Sequence, residues 1–251
     1  MCLYKKNSTT NAVYRSNNPK NPSVVNVVWE ADTYAPLLYK GKTLYSGGSN
    51  LKIVAYPTVV LGGAPIPTSQ LSFQWTDNDT PNTAASGLGK NVFSFQGDQL
   101  QTGEDVAVDV YSGTTKVGHA DITIPVSSPQ VIFYVQDPLR GELLDEGMQG
   151  QATLAQTETT LKAEPYFFSN SSAENGLLQY DWTLDNQETT GPNSAQGELT
   201  LRQTGSGGGS ADLSVSVQNT DTSQYAQSAN AALQLVFGQQ SGSSLSNFFG
   251  L

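Results

Sequence analysis

Few residues in this chain have the types and spacing that nucleophilic catalysis requires. His119 is the only histidine and Cys2 the only cysteine in the 251 residues. A catalytic serine needs a histidine base, but the chain has no Gly-x-Ser-x-Gly turn, and His119 stands at the start of a predicted strand. Cys2 lies in an N-terminal stretch too irregular to hold a thiolate against a base. We therefore interpret His119 as a surface histidine and predict no catalytic residues.

Acidic and amide side chains after two predicted strands could bind a hard cation such as calcium. Asp77-Asn78-Asp79 follows one strand and Asp185-Asn186 follows another, and calcium prefers carboxylate and carbonyl oxygens. The same residue types are ordinary turn formers, and no twelve-residue loop closed by glutamate is present. One cysteine and one histidine cannot supply a structural zinc site. We predict turns at these positions, no metal and no cofactor.

Three further arrangements contain the residue types of known chemistry. Glycoside hydrolysis needs two facing carboxylates, which could come from distant strands; the candidates are Glu30, Asp32, Glu104, Asp105 and Asp109. Small sandwiches offer little cleft for such a reaction, so we do not favour an enzyme. Residues 205–210 are glycine-rich but lack the lysine and the helix of a phosphate-binding loop, which predicts a connection between strands. Lys52 and Lys162 could form Lys–Asn isopeptide bonds only if buried, and their alternation with apolar neighbours places them on the solvent face.

Composition and charge exclude several classes of partner. The chain carries 22 acidic and 12 basic residues, a net charge of −10, so we predict no nucleic-acid binding and no adhesion to anionic lipid. No apolar run approaches the roughly 20 residues of a membrane helix, and no signal peptide is recognisable. Only 14% of residues are charged, and the polar uncharged surface this implies is typical of exported proteins. Cys2 is either a lipid-anchored residue or incidental; we favour the second, and a single thiol excludes an intrachain disulfide.

The chain repeats itself over a long period. Residues 51–56 (LKIVAY) resemble residues 161–166 (LKAEPY), and residues 71–76 (LSFQWT) resemble residues 178–183 (LQYDWT). The offsets, 161 − 51 = 110 and 178 − 71 = 107, differ by no more than a short loop insertion absorbs. A repeat of this length indicates two copies of one module.

Each copy contains short segments in which apolar and polar residues alternate, a pattern typical of half-buried strands. These segments begin near residues 24, 51, 71, 92, 106 and 121, and again near residues 131, 161, 178, 199, 213 and 232. Turn-forming residues separate them, and no segment has a sustained helical period. The chain is therefore predicted to be all-β, with two tandem Greek-key β-sandwiches at residues 23–127 and 130–238. We predict a flexible N-terminal leader at residues 1–22 and a flexible C-terminal tail at residues 239–251.

Trp75 and Trp182 lie on the apolar face of the third strand of each module, a position that resembles the strand-C tryptophan of immunoglobulin-like sandwiches. The strings FQWTDN and YDWTLDN around them are also similar to the aromatic-x-Trp stretch of PKD-type modules, which occur in tandem on bacterial and archaeal cell surfaces. The Gly-Asp-Gly that usually follows that tryptophan is missing here. The resemblance spans roughly residues 24–238. It implies two tandem immunoglobulin-like sandwiches and an exported protein, and it implies no activity.

Two segments are predicted to make contacts outside a module's own core. Residues 57–67 form an unusually apolar connection, which is either an exposed patch or a cover over the end of the sandwich; for the exposed case we predict partner binding through Val60, Leu61 and Ile66. The linker Ser127-Ser128-Pro129 leaves almost no slack. We therefore predict that Phe167 and Phe168, in the equivalent loop of the second module, pack against the first module.

These observations favour a non-enzymatic extracellular or cell-surface protein that acts as a stalk, or as a subunit of a pilus-like or layer assembly. Its partner would be a protein, a surface glycan or another copy of itself. One alternative is a carbohydrate-binding accessory portion of a secreted hydrolase. Another is an accessory protein of the periplasm or of a phage particle.

Overall fold

The alternating segments form strands in a computed structural model that describes residues 13–15, 23–154, 156–205, 208–223 and 226–237. In the first half of the chain the strands are β1 (Val13–Arg15), β2 (Ser23–Ala31), β3 (Asn50–Leu61), β4 (Ala64–Ile66), β5 (Ser72–Asp77), β6 (Thr80–Leu88), β7 (Val92–Gln96), β8 (Gly103–Ser112) and β9 (Thr115–Pro125). One sheet has the order β1-β2-β3-β4, with β7 also on β3, and it packs against a second sheet of order β6-β5-β8-β9. We call this sandwich module one.

The second half repeats the arrangement as module two. Its strands are β10 (Gln130–Asp137), β11 (Gly141–Glu142), β12 (Gly150–Leu154), β13 (Glu158–Tyr166), β14 (Leu178–Leu184), β15 (Gln187–Thr189), β16 (Glu198–Arg202), β17 (Gly209–Asn219) and β18 (Ser228–Phe237). The sheets have the orders β11-β10-β13-β16 and β12-β18-β17-β14-β15, and β12 pairs with β18 in parallel. A short helix, α1 (Asn170–Glu174), and 3-10 turns at Thr68–Gln70 and Ser194–Gln196 complete the described elements. This strand order is that of immunoglobulin-like Greek-key sandwiches, so the predicted fold class is confirmed.

The two tryptophans occupy equivalent places in the two cores, as the repeat predicts. Trp75 is 1% exposed and Trp182 2%, whereas the surface tyrosine Tyr56 is 54% exposed. Each indole Nε1 donates to a carbonyl oxygen in the following loop: that of Lys90 at 2.9 Å and that of Ser194 at 3.1 Å. The same framework therefore surrounds both rings, and burial without an unpaired N–H explains why the residue type recurs.

The structure corrects the prediction for part of the N-terminal leader. Within residues 1–22, which we predicted to be flexible, Val13–Arg15 form β1 and pair antiparallel with β2. The outer edge of β2 offers unpaired backbone N–H and C=O groups, and a three-residue strand is too short to show alternation in sequence. The rest of the leader and the predicted tail at residues 239–251 lie outside the described residues.

The apolar connection at residues 57–67 is a β-hairpin rather than a loop. β3 continues past Tyr56 to Leu61, and β4 pairs back onto it around Gly62-Gly63, whose φ angles of 59° and 86° suit glycine. Pro57 is tolerated inside β3 because it pairs with Val25 on one side, while β7 on the other side reaches only Val54.

Candidate functional site: the module junction and the free hairpin

The loop between β2 and β3 of module one contacts module two. We call this loop, residues 32–49, the docking loop. Several of its side chains are anchored to module one. The Lys42 ammonium lies 3.2 Å from the centre of the Trp29 ring, and burial lowers the pKa of Lys42 to about 8. The Tyr45 hydroxyl donates to Oε1 of the buried Glu104 at 2.8 Å. These contacts hold the loop in one position, so it presents a defined surface to module two.

Backbone hydrogen bonds join the docking loop to module two. Tyr34 N–H donates to the Phe168 carbonyl and Phe167 N–H donates to the Tyr34 carbonyl, both at 2.7 Å. Thr33 also pairs with Ser169 as an isolated antiparallel bridge. This exchange has the form of a short strand pair across the boundary, which fixes the register of one module on the other.

A buried glutamine adds side-chain hydrogen bonds to the junction. Gln227 is 5% exposed, and its Nε2 donates to the hydroxyls of Ser46 at 2.8 Å and Ser49 at 3.0 Å. Its Oε1 accepts the backbone N–H of Ser169 at 2.8 Å. Because these polar groups are buried, replacing one of them by an apolar residue would leave its partners unpaired inside the interface at a substantial cost.

The predicted interdomain residues, Phe167 and Phe168, lie at this boundary with different roles. The Phe167 ring packs with Tyr134, Tyr166 and the docking-loop residue Leu44, and its centroid is 5.9 Å from that of Tyr39. The Phe168 ring instead lies in the core of module two, and only its carbonyl faces the docking loop. Phe167 has a φ of 63°, so the backbone turns just after the end of β13 and sends the two rings into different clusters.

The predicted partner-binding residues lie at the opposite end of module one. β2 runs towards the docking loop and β3 runs away from it, so the β3–β4 hairpin stands at the end far from module two. Leu61 and Ile66 are half-buried and pack against the core of module one. Val60 is also half-buried and pairs with Pro65, whereas Ala64 and Pro65 are exposed. Fewer residues of this segment are therefore exposed than the sequence indicates.

The residues considered for metal or acid–base chemistry are engaged in structural roles. Asn78, Asp79, Asp185 and Asn186 have φ angles between 47° and 63°, the left-handed conformation of tight hairpin turns. Glu104 accepts from Tyr45 and from Asp98 N–H at one oxygen and from Asn78 at the other. Burial and the Glu104 charge raise the pKa of Asp77 to about 6. In the part of the chain that the structure describes, no group of three His, Cys, Asp or Glu side chains could hold a metal ion.

The other candidates are distributed over the surface. Glu30 pairs with Lys52 at 2.9 Å on β2, whereas Asp105 accepts from the Thr123 hydroxyl at 2.6 Å on β8, in the other sheet of module one. Lys162, half-buried, donates to the Gln196 carbonyl at 2.7 Å. No helix in the described ranges is long and apolar enough to cross a membrane.

Sequence reasoning missed Tyr34, Ser46, Ser49 and Gln227, which form the centre of the junction. They lie in loops, and their partners are more than a hundred residues away in the chain. The available signal was the composition of the docking loop, which contains Tyr34, Tyr39 and Tyr45 without any alternation.

No protein-family model and no curated protein matches this chain. Among solved structures it is similar to the three N-terminal domains of the outer capsid protein Hoc of bacteriophage RB49, at 16% identity and a TM-score of 0.40. That match covers 85% of this chain and 58% of the other, so the chain spans less than two thirds of that structure. It is also similar to fibronectin(III)-like modules of Clostridium thermocellum CbhA, at 12% identity and a TM-score of 0.25, over 84% of this chain and 94% of the other. Tandem Ig repeats of Dlar match at 8% identity and a TM-score of 0.25, over 85% of this chain and 97% of the other.

Proposed function

We propose that this protein is a non-enzymatic extracellular or cell-surface component in which two sandwiches form a semi-rigid rod, as in a stalk or in a subunit of a pilus-like or layer assembly. The observation that carries the proposal is the junction, where backbone pairing, the Gln227 hydrogen bonds and the Phe167 ring together fix one module on the next. A free tether would need none of these contacts. The setting that we propose for such a rod is a bacterial cell surface, where PKD-like modules occur in tandem.

The path of the chain supports this proposal. β2 enters module one at the hairpin end, and β18 begins at the junction beside Gln227 and ends at Phe237 on the far side of module two. A chain that enters at one end and leaves at the other places its modules in series. Force applied along such a chain would act across the junction, which is where the buried hydrogen bonds are concentrated.

Small-angle scattering and spin-label distances test the rod. Labels at Asp79 and Glu188, both exposed, in a Cys2→Ser background should give one narrow distance distribution. Gln227→Ala should broaden that distribution because it removes the hydrogen bonds to Ser46 and Ser49. The matched control is Gln218→Ala, an exposed glutamine on β17, which should leave the distribution narrow. A broad distribution in the wild-type protein would contradict the proposal.

We also propose that the β3–β4 hairpin is the end of the rod that contacts a partner, which would be a protein or a further copy of this chain. Its turn, Gly62 to Pro65, is exposed, while the half-buried Val60, Leu61 and Ile66 hold it on module one. The double substitution Ala64→Asp with Pro65→Asp should abolish association, which sedimentation at rising protein concentration measures. It should not lower the melting temperature. Unchanged association would remove the hairpin from the proposal and leave the rod unaffected.

A further inference from the structure

A groove lies on the outer face of the second sheet of module one, where the pairing of β5 with β6 is interrupted. Phe73 pairs with Gly87 and Trp75 with Asn82, so a single residue of β5, Gln74, faces the four residues 83–86 of β6. This wide bulge moves the β6 backbone away from β5. Beside it the surface encloses a groove of about 530 Å³.

The bulge is held in a defined shape by hydrogen bonds. Ser86 Oγ accepts the Trp75 N–H at 2.9 Å, in place of the missing backbone partner. Asn82 Oδ1 accepts the Ala85 N–H at 2.9 Å, and the Lys90 ammonium donates to the Ala84 carbonyl at 2.7 Å. The segment is therefore ordered before any ligand arrives, which lowers the entropic cost of binding.

Polar side chains of three neighbouring strands line the groove. Gln74 on β5 is paired with Asp109 on β8, and Asp109 is paired with His119 on β9. Asp109 Oδ1 is 2.6 Å from His119 Nδ1 and 2.7 Å from the Lys116 ammonium. The Gln74 side chain is exposed and makes no hydrogen bond to another residue of the described ranges. A free amide thus stands beside an oriented carboxylate–imidazole pair.

Module two has the same framework without this bulge. Its β15 ends at Thr189, opposite Trp182, so the strand does not continue to the positions that bulge in module one. The residue before the tryptophan is Asp181, and the positions equivalent to Asp109 and His119 are Ser216 and Asn230, because Trp182 pairs with Val215 and Ser216 with Asn230. The fold therefore requires neither the bulge nor the Asp–His pair. Bulges that the framework does not need are found next to sites where side chains are re-aimed.

The lining indicates the chemical class of the ligand. Amide, carboxylate, imidazole and hydroxyl groups offer both donors and acceptors, and planar groups such as Gln74 and Asp109 can bond two adjacent hydroxyls at once. The Asp109 charge is balanced by Lys116, so no free cation is left in the groove to attract a phosphate. Its apolar floor, with Ala107 and Pro81, has no large exposed anchor of the kind that dominates protein interfaces.

We propose that this groove of module one binds a short neutral saccharide, with Gln74, Asp109 and His119 as the hydrogen-bonding residues. The site is separate from the junction and from the hairpin, so it goes beyond the rod proposed above and does not depend on it. The bulge residues Thr83 and Ser86 form the rim of the groove on the β6 side.

An NMR titration of the whole chain with a panel of sugars tests the proposal. The probes are glucose, galactose, mannose, N-acetylglucosamine and their β-linked disaccharides at millimolar concentration. At least one should give saturable shifts at Gln74, Asp109 and His119. Gln74→Ala should weaken that binding about tenfold, the loss expected for one hydrogen bond. Asp181→Ala, the matched change in module two, should leave the affinity unchanged.

The outcomes are distinguishable because the tested side chains are at least partly exposed, and the amide spectrum of each variant shows directly that it has folded. Absence of saturable shifts with every probe would overturn the proposal. Shifts confined to module two, or wild-type affinity in Gln74→Ala, would do the same. Binding of an extended peptide at these three residues, with no response to any sugar, would replace the saccharide assignment by a protein partner.

Discussion

The hydroxyl of Tyr34, in the docking loop of module one, donates a 2.7 Å hydrogen bond to Oε1 of Glu164, in β13 of module two. Glu164 is 4% exposed, and burial raises its pKa although Tyr34 and the Lys162 charge oppose that shift. Oε1 of Glu142 is also buried and has no hydrogen-bond partner among the described residues. Burial and the Glu164 charge raise the pKa of Glu142 to about 7. Both carboxyl groups therefore bind a proton more readily in the folded protein than in the unfolded chain.

The first prediction concerns the effect of pH on stability. A carboxyl group whose pKa is raised on folding contributes stability below its ordinary pKa and loses it as pH rises through the raised value. The contribution of Glu142 should therefore be complete below pH 4.5 and be lost as pH rises through about 7. Glu142→Gln should raise the melting temperature at neutral pH more than at pH 4.5, because it removes the buried charge.

The comparison needs a control because Asp77, in module one, changes stability in the same direction, its pKa being raised to about 6. The difference between wild type and Glu142→Gln isolates the contribution of Glu142. Glu146→Gln, an exposed change nearby, should follow the wild type at every pH. A wild-type melting temperature that rises steadily between pH 4.5 and 7, unaltered in slope by Glu142→Gln, would refute this account of Glu142.

The second prediction separates the two phenylalanines. Phe167→Ser should loosen the junction while module two stays folded, because the Phe167 ring packs between the modules. Phe168→Ser should destabilise module two itself by about 3–5 kcal/mol, the usual cost of truncating a buried aromatic residue. Scattering curves and urea melts of the two variants measure these effects. Equal loss of module stability in both would show that Phe167 belongs to the core of module two.

The fold could be predicted because burial on one side of a strand leaves a mark in sequence. Leu51, Ile53 and Ala55 are buried while Lys52 and Tyr56 are exposed, which is the alternation that the sequence shows. β6 was missed for the opposite reason. β6 lies at a sheet edge and consists of small and polar residues with no buried face, so alternation does not reveal it.

The junction could be predicted only in outline. The stiff linker indicates that the modules touch, and the order of strands indicates which loop of module two is close. The residues that carry the contact, Tyr34 and Gln227, depend on hydrogen bonds between parts of the chain 130 and 181 residues apart. No local pattern encodes such pairs. The groove beside Gln74 was missed likewise, because a bulge depends on pairing register and not on composition.

The third prediction concerns the core tryptophans. Trp75→Ala and Trp182→Ala should each lower the free energy of unfolding by roughly 3–5 kcal/mol, from lost transfer energy and the cavity left behind. Trp75→Phe should cost less, since a smaller aromatic ring still fills part of the space, although the hydrogen bond to the Lys90 carbonyl is lost. Trp29→Ala is the comparison, because that ring is only partly buried. Circular dichroism during urea unfolding measures each value, and equal losses at Trp29 and Trp75 would contradict the repeat-based assignment.

The last prediction is that stability does not depend on calcium. Asn78 Oδ1 accepts the Asp105 N–H at 3.0 Å, and Asp185 Oδ1 accepts the Asp212 N–H at 2.9 Å, so these oxygens already serve the turns. A chelator should therefore leave the melting temperature unchanged. A ligand at 100 times its dissociation constant would add about 2.7 kcal/mol, which a melt detects easily. Asp79→Gly keeps the left-handed turn at a φ of 62° and removes a carboxylate, so it should be neutral. A calcium-dependent rise of several degrees that Asp79→Gly abolishes would instead make this turn a cation site, and the turn interpretation would have to be withdrawn.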